Sequence, residues 1–378
     1  GSLLDKGTSN IKLKDVEVPL FNIDKTAFVR KSTVLYGGSG SGKTFLTRDI
    51  MFNLRDYFSR VWVFCPTNAL NNMYTHLVPN AMIYEEPTLE IITSIYEFQR
   101  VARQIYDTIN KIETLRSLFI RIPGNQKARL YEHELLKLQD TALRRMREKY
   151  PNPVEQEEKA DKINEIITEK LKYHYKQMIG MRADKLACMD LTMEEQYTLR
   201  YLGFCPDSLV IFDDAMTEVD EIVKRGRKEG SPVIQNFFFK GRHYFLSTIY
   251  CLQSDKFLDS ELRKNAFTSI FTSPNEALGY FSKASNGFGP DEKRESASCI
   301  EEIFSEKNSS KHMKFVYLKD EKHKYQYTIA APHTRFEMCG KAVRSFCDRI
   351  EEKSHEIDST SKFAKKFNEY ACGNRKKK

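Results

Sequence analysis

The chain has 378 residues, with 60 Lys and Arg against 52 Asp and Glu, and its net charge of +8 is too modest for that length to establish nucleic acid as a partner. Charged residues make up 30% and the mean hydropathy is −0.54; no apolar run approaches bilayer length and nothing resembles a signal peptide, so a soluble protein without a membrane span is expected. The eight cysteines include no CxxC pair and no Cys/His cluster at metal spacing, which predicts reduced thiols and argues against zinc.

The opening Gly1-Ser2, without Met, reads as a tag scar. The first strand expected is Thr33 to Tyr36, and it runs into Gly37-Gly38-Ser39-Gly40-Ser41-Gly42-Lys43-Thr44, a complete GxxxxGK[ST] pattern. Glycines let such a loop turn successive backbone N–H groups toward anionic oxygens, and the helix opening at Lys43 adds its positive dipole end. A nucleoside triphosphate is therefore the expected ligand, with Lys43 on the β- and γ-phosphates and the Thr44 hydroxyl on Mg2+.

Arg60 to Cys65 reads as a buried strand closed by Pro66, after which a loop carrying ligand contacts is expected. A long charged interruption follows, Leu89 to Gly203, which a minimal nucleotide-binding core does not require. Tyr131, Leu135, Leu138, Ala142 and Met146, then Ala160, Ile163, Ile167, Leu171, Tyr175 and Met178, recur at three- and four-residue steps on either side of Pro151-Asn152-Pro153. That spacing predicts an antiparallel helical hairpin, either a solvated arm packed on itself or a DNA grip.

Leu209-Val210-Ile211-Phe212-Asp213-Asp214, on the strand expected from Ser208 to Phe212, is a Walker B pattern: four apolar residues, then two carboxylates at a strand tip. Asp213 is expected to hold the Mg2+ shell through water, and Asp214 to orient or deprotonate the attacking water. Lys224, Arg225, Arg227 and Lys228, interrupted by Gly226 and ending near Gly230, form a Gly-flanked basic run. It suits sequence-independent contact with DNA phosphates, or is only a charged surface turn.

A helix is expected to end at Gly241, leaving Arg242 as an arginine finger for a neighbouring subunit or as compensation for the helix dipole. The strand Phe245 to Leu252 ends at Gln253, a sensor of the γ-phosphate or lytic water, or the start of a surface loop. Thr268 to Phe271 is a further strand. Lys314 to Leu318 and Tyr325 to Ile329 read as a hairpin extending the sheet, and Cys339 to Lys353 and Ser359 to Tyr370 as helices. The tail from Phe363, ending Arg375-Lys376-Lys377-Lys378, is either a phosphate-attracting arm or merely solvated. The alternation of strands and helices predicts an α/β fold with a parallel central sheet, a long helical insertion, and a C-terminal hairpin plus helices. The expected divisions are 1–88 and 204–335 as the two halves of the core, 89–203 as the insertion, and 336–378 as C-terminal helices and basic tail.

The P-loop, the Asp213-Asp214 pair, Gly241-Arg242-His243 and the Ile249 to Gln253 strand together resemble the poxvirus-type DNA-packaging ATPases of nucleo-cytoplasmic large DNA viruses, within the FtsK/HerA superfamily. The resemblance covers about Thr33 to Phe271 in pieces and skips the helical insertion. It implies a RecA-like additional-strand core and a homo-oligomeric ring, pentamer or hexamer, that hydrolyses ATP with Mg2+ to drive double-stranded DNA into a capsid. It also implies capsid or portal proteins and a nuclease as partners, and a place in the viral factory of the host cytoplasm or in the virion. Asp214 stands where the superfamily more commonly has Glu. No NKxD-like, LSGGQ-like or Asp-Glu-Ala-Asp element occurs, which removes GTPases, ABC transporters and common helicases from the front rank. A nucleoside kinase, another DNA-processing translocase and a nucleotide-gated assembly protein without turnover remain as alternatives.

Overall fold

The structure, a computed structural model, describes residues 11–12, 17–230, 232–254, 258 and 260–355. The expected helix Ser359 to Tyr370, the basic tail and the Gly1-Ser2 opening lie outside the described residues. The strands in chain order are β1 (Ile11–Lys12), β2 (Glu17–Val18), β3 (Ser32–Tyr36), β4 (Arg60–Phe64), β5 (Ile83–Tyr84), β6 (Ser208–Asp213), β7 (Leu246–Leu252), β8 (Thr268–Phe271), β9 (Met313–Leu318) and β10 (Tyr325–Ile329). β1 and β2 pair with each other. The other eight form one sheet in the order β10-β9-β8-β3-β7-β6-β4-β5.

From β8 to β5 all neighbours are parallel, while β9 and β10 join antiparallel as the expected hairpin extension. Every residue of β3, β4, β6 and β7 is buried, because helices cover both faces of a parallel sheet. The Val-, Ile- and aromatic-rich composition of these runs follows from that position. Their register lines up aromatic rings across strands: Tyr84, Phe64, Phe212 and Tyr250 stack at centroid spacings of 5.2, 5.0 and 4.9 Å, and Phe238 adds a fifth ring at 4.6 Å. On the other side of the sheet centre, Tyr36 stacks on Phe271 at 4.8 Å. This row lies beneath the C-terminal strand tips, where open α/β sheets bind ligands.

Contacts divide the chain into two units, the described residues of Gly1–Val101 with Pro206–Lys378, and Ala102–Cys205. The first turns of the helix Leu89–Ile109 belong to the sheet unit. Ile92, Ile95 and Tyr96 are buried in its core, Tyr96 stacks on Phe237 and Phe98 meets Trp62 edge-on. The core thus retains more of the segment after Leu89 than the charge pattern indicates.

The second unit contains the hairpin of Gln126–Lys149 and Pro153–Gly180. Asn152 caps the second helix by accepting from the Val154 N–H, and Pro153 opens it. Its core draws on Leu115, Phe119, Leu135, Leu171, Tyr175 and Ile179. Tyr131 and Leu138, expected on the packed face, are exposed. The buried stripe instead runs Ala128, Glu132, Leu135, because the Glu132 carboxylate accepts from Tyr175 Oη (2.7 Å) and Arg116 Nε (2.9 Å).

Candidate nucleotide site

The P-loop connects β3 to the helix Lys43–Leu54. Gly40 and Gly42 take φ values of +71° and +88°, the left-handed region open to glycine at little cost. Gly37 is needed for a different reason. A Cβ there would come within 1.8 Å of Thr272 Oγ1 and 2.5 Å of Ser41 Oγ, so the residue after β8 closes directly on the loop. Gly37 N–H donates to the Leu252 carbonyl at 3.0 Å, tying the loop to the tip of β7. Lys43 is buried and donates to the Gly37 and Gly38 carbonyls at 2.6 and 2.8 Å, while Ser39 and Gly40 face solvent.

Parallel register brings the second motif to the same sheet edge. The Thr44 hydroxyl donates to Asp213 Oδ2 at 2.9 Å, across 169 residues of sequence. The same oxygen accepts from Tyr74 Oη at 2.7 Å. Tyr74 is fully buried in the loop segment after β4, where its N–H donates to the Asn68 side chain at 2.9 Å. Sequence reading placed ligand contacts in this segment but did not single out Tyr74. A Tyr among Asn71, Asn72 and Met73 has no local signature, and only the fold carries it to Asp213.

Asp213 is 2% exposed, and burial raises its pKa above the usual carboxylate range. The Tyr74 hydroxyl counters that, the Asp214 charge reinforces it, and the Thr44 hydroxyl counters it again. Burial and the Asp213 charge push the Tyr74 hydroxyl well above its ordinary value, so Tyr74 is the donor of the pair. Burial likewise raises the Cys251 thiol well above its ordinary value. Asp213 Oδ1 is buried with no oxygen or nitrogen partner among the described residues, only the Cys251 thiol beside the carboxylate. A buried carboxylate oxygen left over beside a Thr hydroxyl fits a hydrated Mg2+, with Thr44 as direct ligand and Asp213 holding the water shell. Thr44 and Asp213 would thus hold an ion whose chemistry is to offset phosphate charge. Among the described residues no group of three or more His, Cys, Asp and Glu is placed to hold a metal.

Asp214 is exposed and takes φ +56°, a left-handed conformation that Asp tolerates better than most side chains. Its Oδ1 lies 3.5 Å from Gln253 Nε2, a long contact joining the Walker B tip to the tip of β7. β7 lies between β3 and β6, as the additional-strand reading requires. Gly37 to Thr44, Asp213, Asp214 and Gln253 therefore share one sheet edge.

Two predicted features lie elsewhere. Arg242 sits in the 3-10 turn Gly241–Tyr244 before β7, exposed, with its Nε 3.3 Å from His243 Nε2. β7 is parallel to β3, so Arg242 is at the sheet edge opposite the P-loop. Lys224, Arg225, Arg227 and Lys228 are not in a flexible Gly-flanked segment. They form the last turns of the helix Met216–Lys228, and Gly230, at φ +68°, follows its end. Val219, Ile222, Val223 and Gly226 are buried at helical spacing, which carries the helix through the glycine. All four cations are exposed; Lys224 pairs with Asp220 and Arg225 with Glu229 at i,i+4 spacing.

No family model matches the chain. It is 28% identical over 370 residues to the uncharacterized protein B354L of African swine fever virus, isolate Pig/Kenya/KEN-50/1950, covering 93% of this chain and 96% of that protein. The B354L protein of the Vero-adapted Badajoz 1971 strain matches at the same identity and coverage. Among solved structures, the genome packaging NTPase B204 from Sulfolobus turreted icosahedral virus 2 in complex with ATP-gammaS is similar at 15% identity and a TM-score of 0.34, over 82% of this chain and 99% of that one. The same NTPase in complex with AMPPCP aligns at 12% identity and a TM-score of 0.33, over 83% and 100%. At these TM-scores the likeness adds nothing to what the strand order and the site residues say.

Proposed function

We propose that this chain is a Mg2+-dependent ATPase and the subunit of a homo-oligomeric ring motor that translocates double-stranded DNA into a viral capsid. The observation that carries the ATPase reading is the Thr44–Asp213 hydrogen bond, which joins the two nucleotide motifs where a magnesium ion would be shared. Lys43 binds the β- and γ-phosphates, Thr44 and Asp213 hold the ion, and Asp214 orients or deprotonates the attacking water. Gln253, against Asp214, senses the γ-phosphate or that water. The motor reading is supported by Gln253 at the tip of an interposed strand and by a solvent-facing Arg242, two features that a nucleoside kinase has no use for. DNA, the ring and the capsid follow from the sequence resemblance.

The test is steady-state ATP turnover with and without duplex DNA, with the mass measured by light scattering. A multimer whose turnover rises with DNA, and whose Lys43→Ala variant is silent, is the expected result. Turnover indifferent to DNA would leave an ATPase without the motor. Binding without turnover in any assembly state would favour the nucleotide-gated assembly protein.

A further inference from the structure

β9 was expected only to extend the sheet, yet it delivers a cation to the P-loop. Lys314, the second residue of β9, is 8% exposed and donates from Nζ to the Ser41 carbonyl at 3.1 Å. The same Nζ lies 3.7 Å from where a Cβ on Gly42 would stand. We propose that Lys314 is a second phosphate-binding cation of the nucleotide site, acting on the phosphate nearest the nucleoside; this rests on the ATPase reading above.

Charge is the first part of the argument. A buried ammonium is normally paired, because leaving it without an anion costs far more than a neutral hydrogen bond returns. Among the described residues no carboxylate offsets Lys314, and burial alone drives its pKa down. A backbone carbonyl is a poor substitute for an anion, and a neutral donor would brace Ser41 equally well. Lys43, the lysine the motif assigns to phosphate, shows the same pattern, buried and donating to P-loop carbonyls. The flank is polar in other ways too: Ser41 Oγ and Thr272 Oγ1 are buried there without a partner among the described residues.

Strand order decides which phosphate. Asp213, Asp214 and Gln253 are at the tips of β6 and β7, on one side of β3, so the transferred phosphate belongs on that side. β9 is two strands away on the other side. At roughly 4.8 Å per strand the backbones of β9 and β6 are about 19 Å apart, well separated across the loop. A phosphate chain lying on the P-loop with its γ end toward β6 turns its nucleoside end toward β8 and β9. Lys314 therefore meets the part of the ligand that ATP and ADP share.

Calorimetric titration of wild type, Lys314→Met and Lys314→Arg with MgADP and with the magnesium complex of a non-hydrolysable ATP analogue tests this, alongside thermal melts. Lys314→Met should weaken both ligands by about tenfold or more, leave their affinity ratio unchanged, and flatten the salt dependence of binding. Lys314→Arg, which keeps the charge, should restore most of the loss. Should Lys314→Met fail to fold, Lys314→Gln provides the neutral comparison. Wild-type affinity in the neutral variant, loss confined to the ATP analogue, or an Arg variant as weak as Met would each overturn the proposal. If folded wild-type protein bound neither ligand, the ATPase reading itself would fail, a result visible before any variant is made.

Discussion

Asp213 Oδ2 accepts from two hydroxyls, one from the P-loop helix and one from the loop segment after β4. The Thr44 donor would be drawn to Mg2+, whereas Tyr74, buried and held by Asn68, remains to fix the carboxylate's orientation. Tyr74→Phe removes one oxygen without opening space, and loss of such an outer hydrogen bond typically costs 10- to 100-fold in metal affinity. The Mg2+ concentration for half-maximal turnover should rise by about tenfold, read from a magnesium titration at saturating ATP; an unchanged midpoint would make Tyr74 a packing residue. Asp214→Asn is expected to act on rate. Asn tolerates the left-handed backbone, so the loop should keep its shape and MgATP its affinity, while turnover falls by about 10² or more. Wild-type turnover in that variant would move the orientation of water to another group. The P-loop and Asp213 were legible in sequence because their chemistry depends on local spacing. Tyr74 and Lys314 were not, because each reaches the site through pairing set up far away in the chain.

Elements carry a second kind of information, which sequence shows in part. The strands Thr268–Phe271 and Tyr325–Ile329 match their expected bounds, and β3, β4 and β6 differ by a single terminal residue, the last three being apolar runs marked off by Gly37, Pro66 and Asp207. Register is not self-contained. The row Tyr84, Phe64, Phe212 and Tyr250 exists only once four strands have paired, and Phe212 in that row immediately precedes Asp213. The basic run is helical rather than a Gly-flanked turn for a related reason. Gly226 breaks the charge pattern, but the buried stripe around it keeps the helix intact, so Lys224, Arg225, Arg227 and Lys228 are carried on a rigid element. Exposed i,i+4 pairs such as Lys224–Asp220 are worth about 0.3–0.5 kcal/mol and can be given up for phosphate. Replacing the four cations with Ala keeps helix propensity high. It should weaken duplex DNA binding alike across sequences and lower the slope of log K against log salt. An unaltered slope would transfer the DNA contact to other residues.

At the scale of the whole molecule the question is where Arg242 can act. β3 and β7 are parallel with Ser32 opposite Thr248 and Tyr36 opposite Leu252, and Lys43 follows one end of this pair while Arg242 precedes the other. Seven residues of β7 at about 3.3 Å each separate them by roughly 23 Å, several times the reach of an Arg side chain. Arg242 is therefore too far to stabilise charge in its own site, and as an arginine finger it would serve a neighbouring subunit. Such a finger makes hydrolysis depend on assembly, so activity should rise faster than linearly with protein concentration. Arg242→Ala should bind MgATP almost normally and hydrolyse it 10³- to 10⁵-fold more slowly, since the guanidinium matters chiefly in the transition state. Mixing Arg242→Ala with Lys43→Ala is the decisive measurement. A mixed ring contains interfaces where an intact P-loop from one variant meets an intact Arg242 from the other, and these should return part of the activity. Mixed rings that demonstrably form and stay inactive, with linear concentration dependence in the wild type, would show that Arg242 is no finger and leave it as the counter-charge at the end of the helix Val233–Lys240.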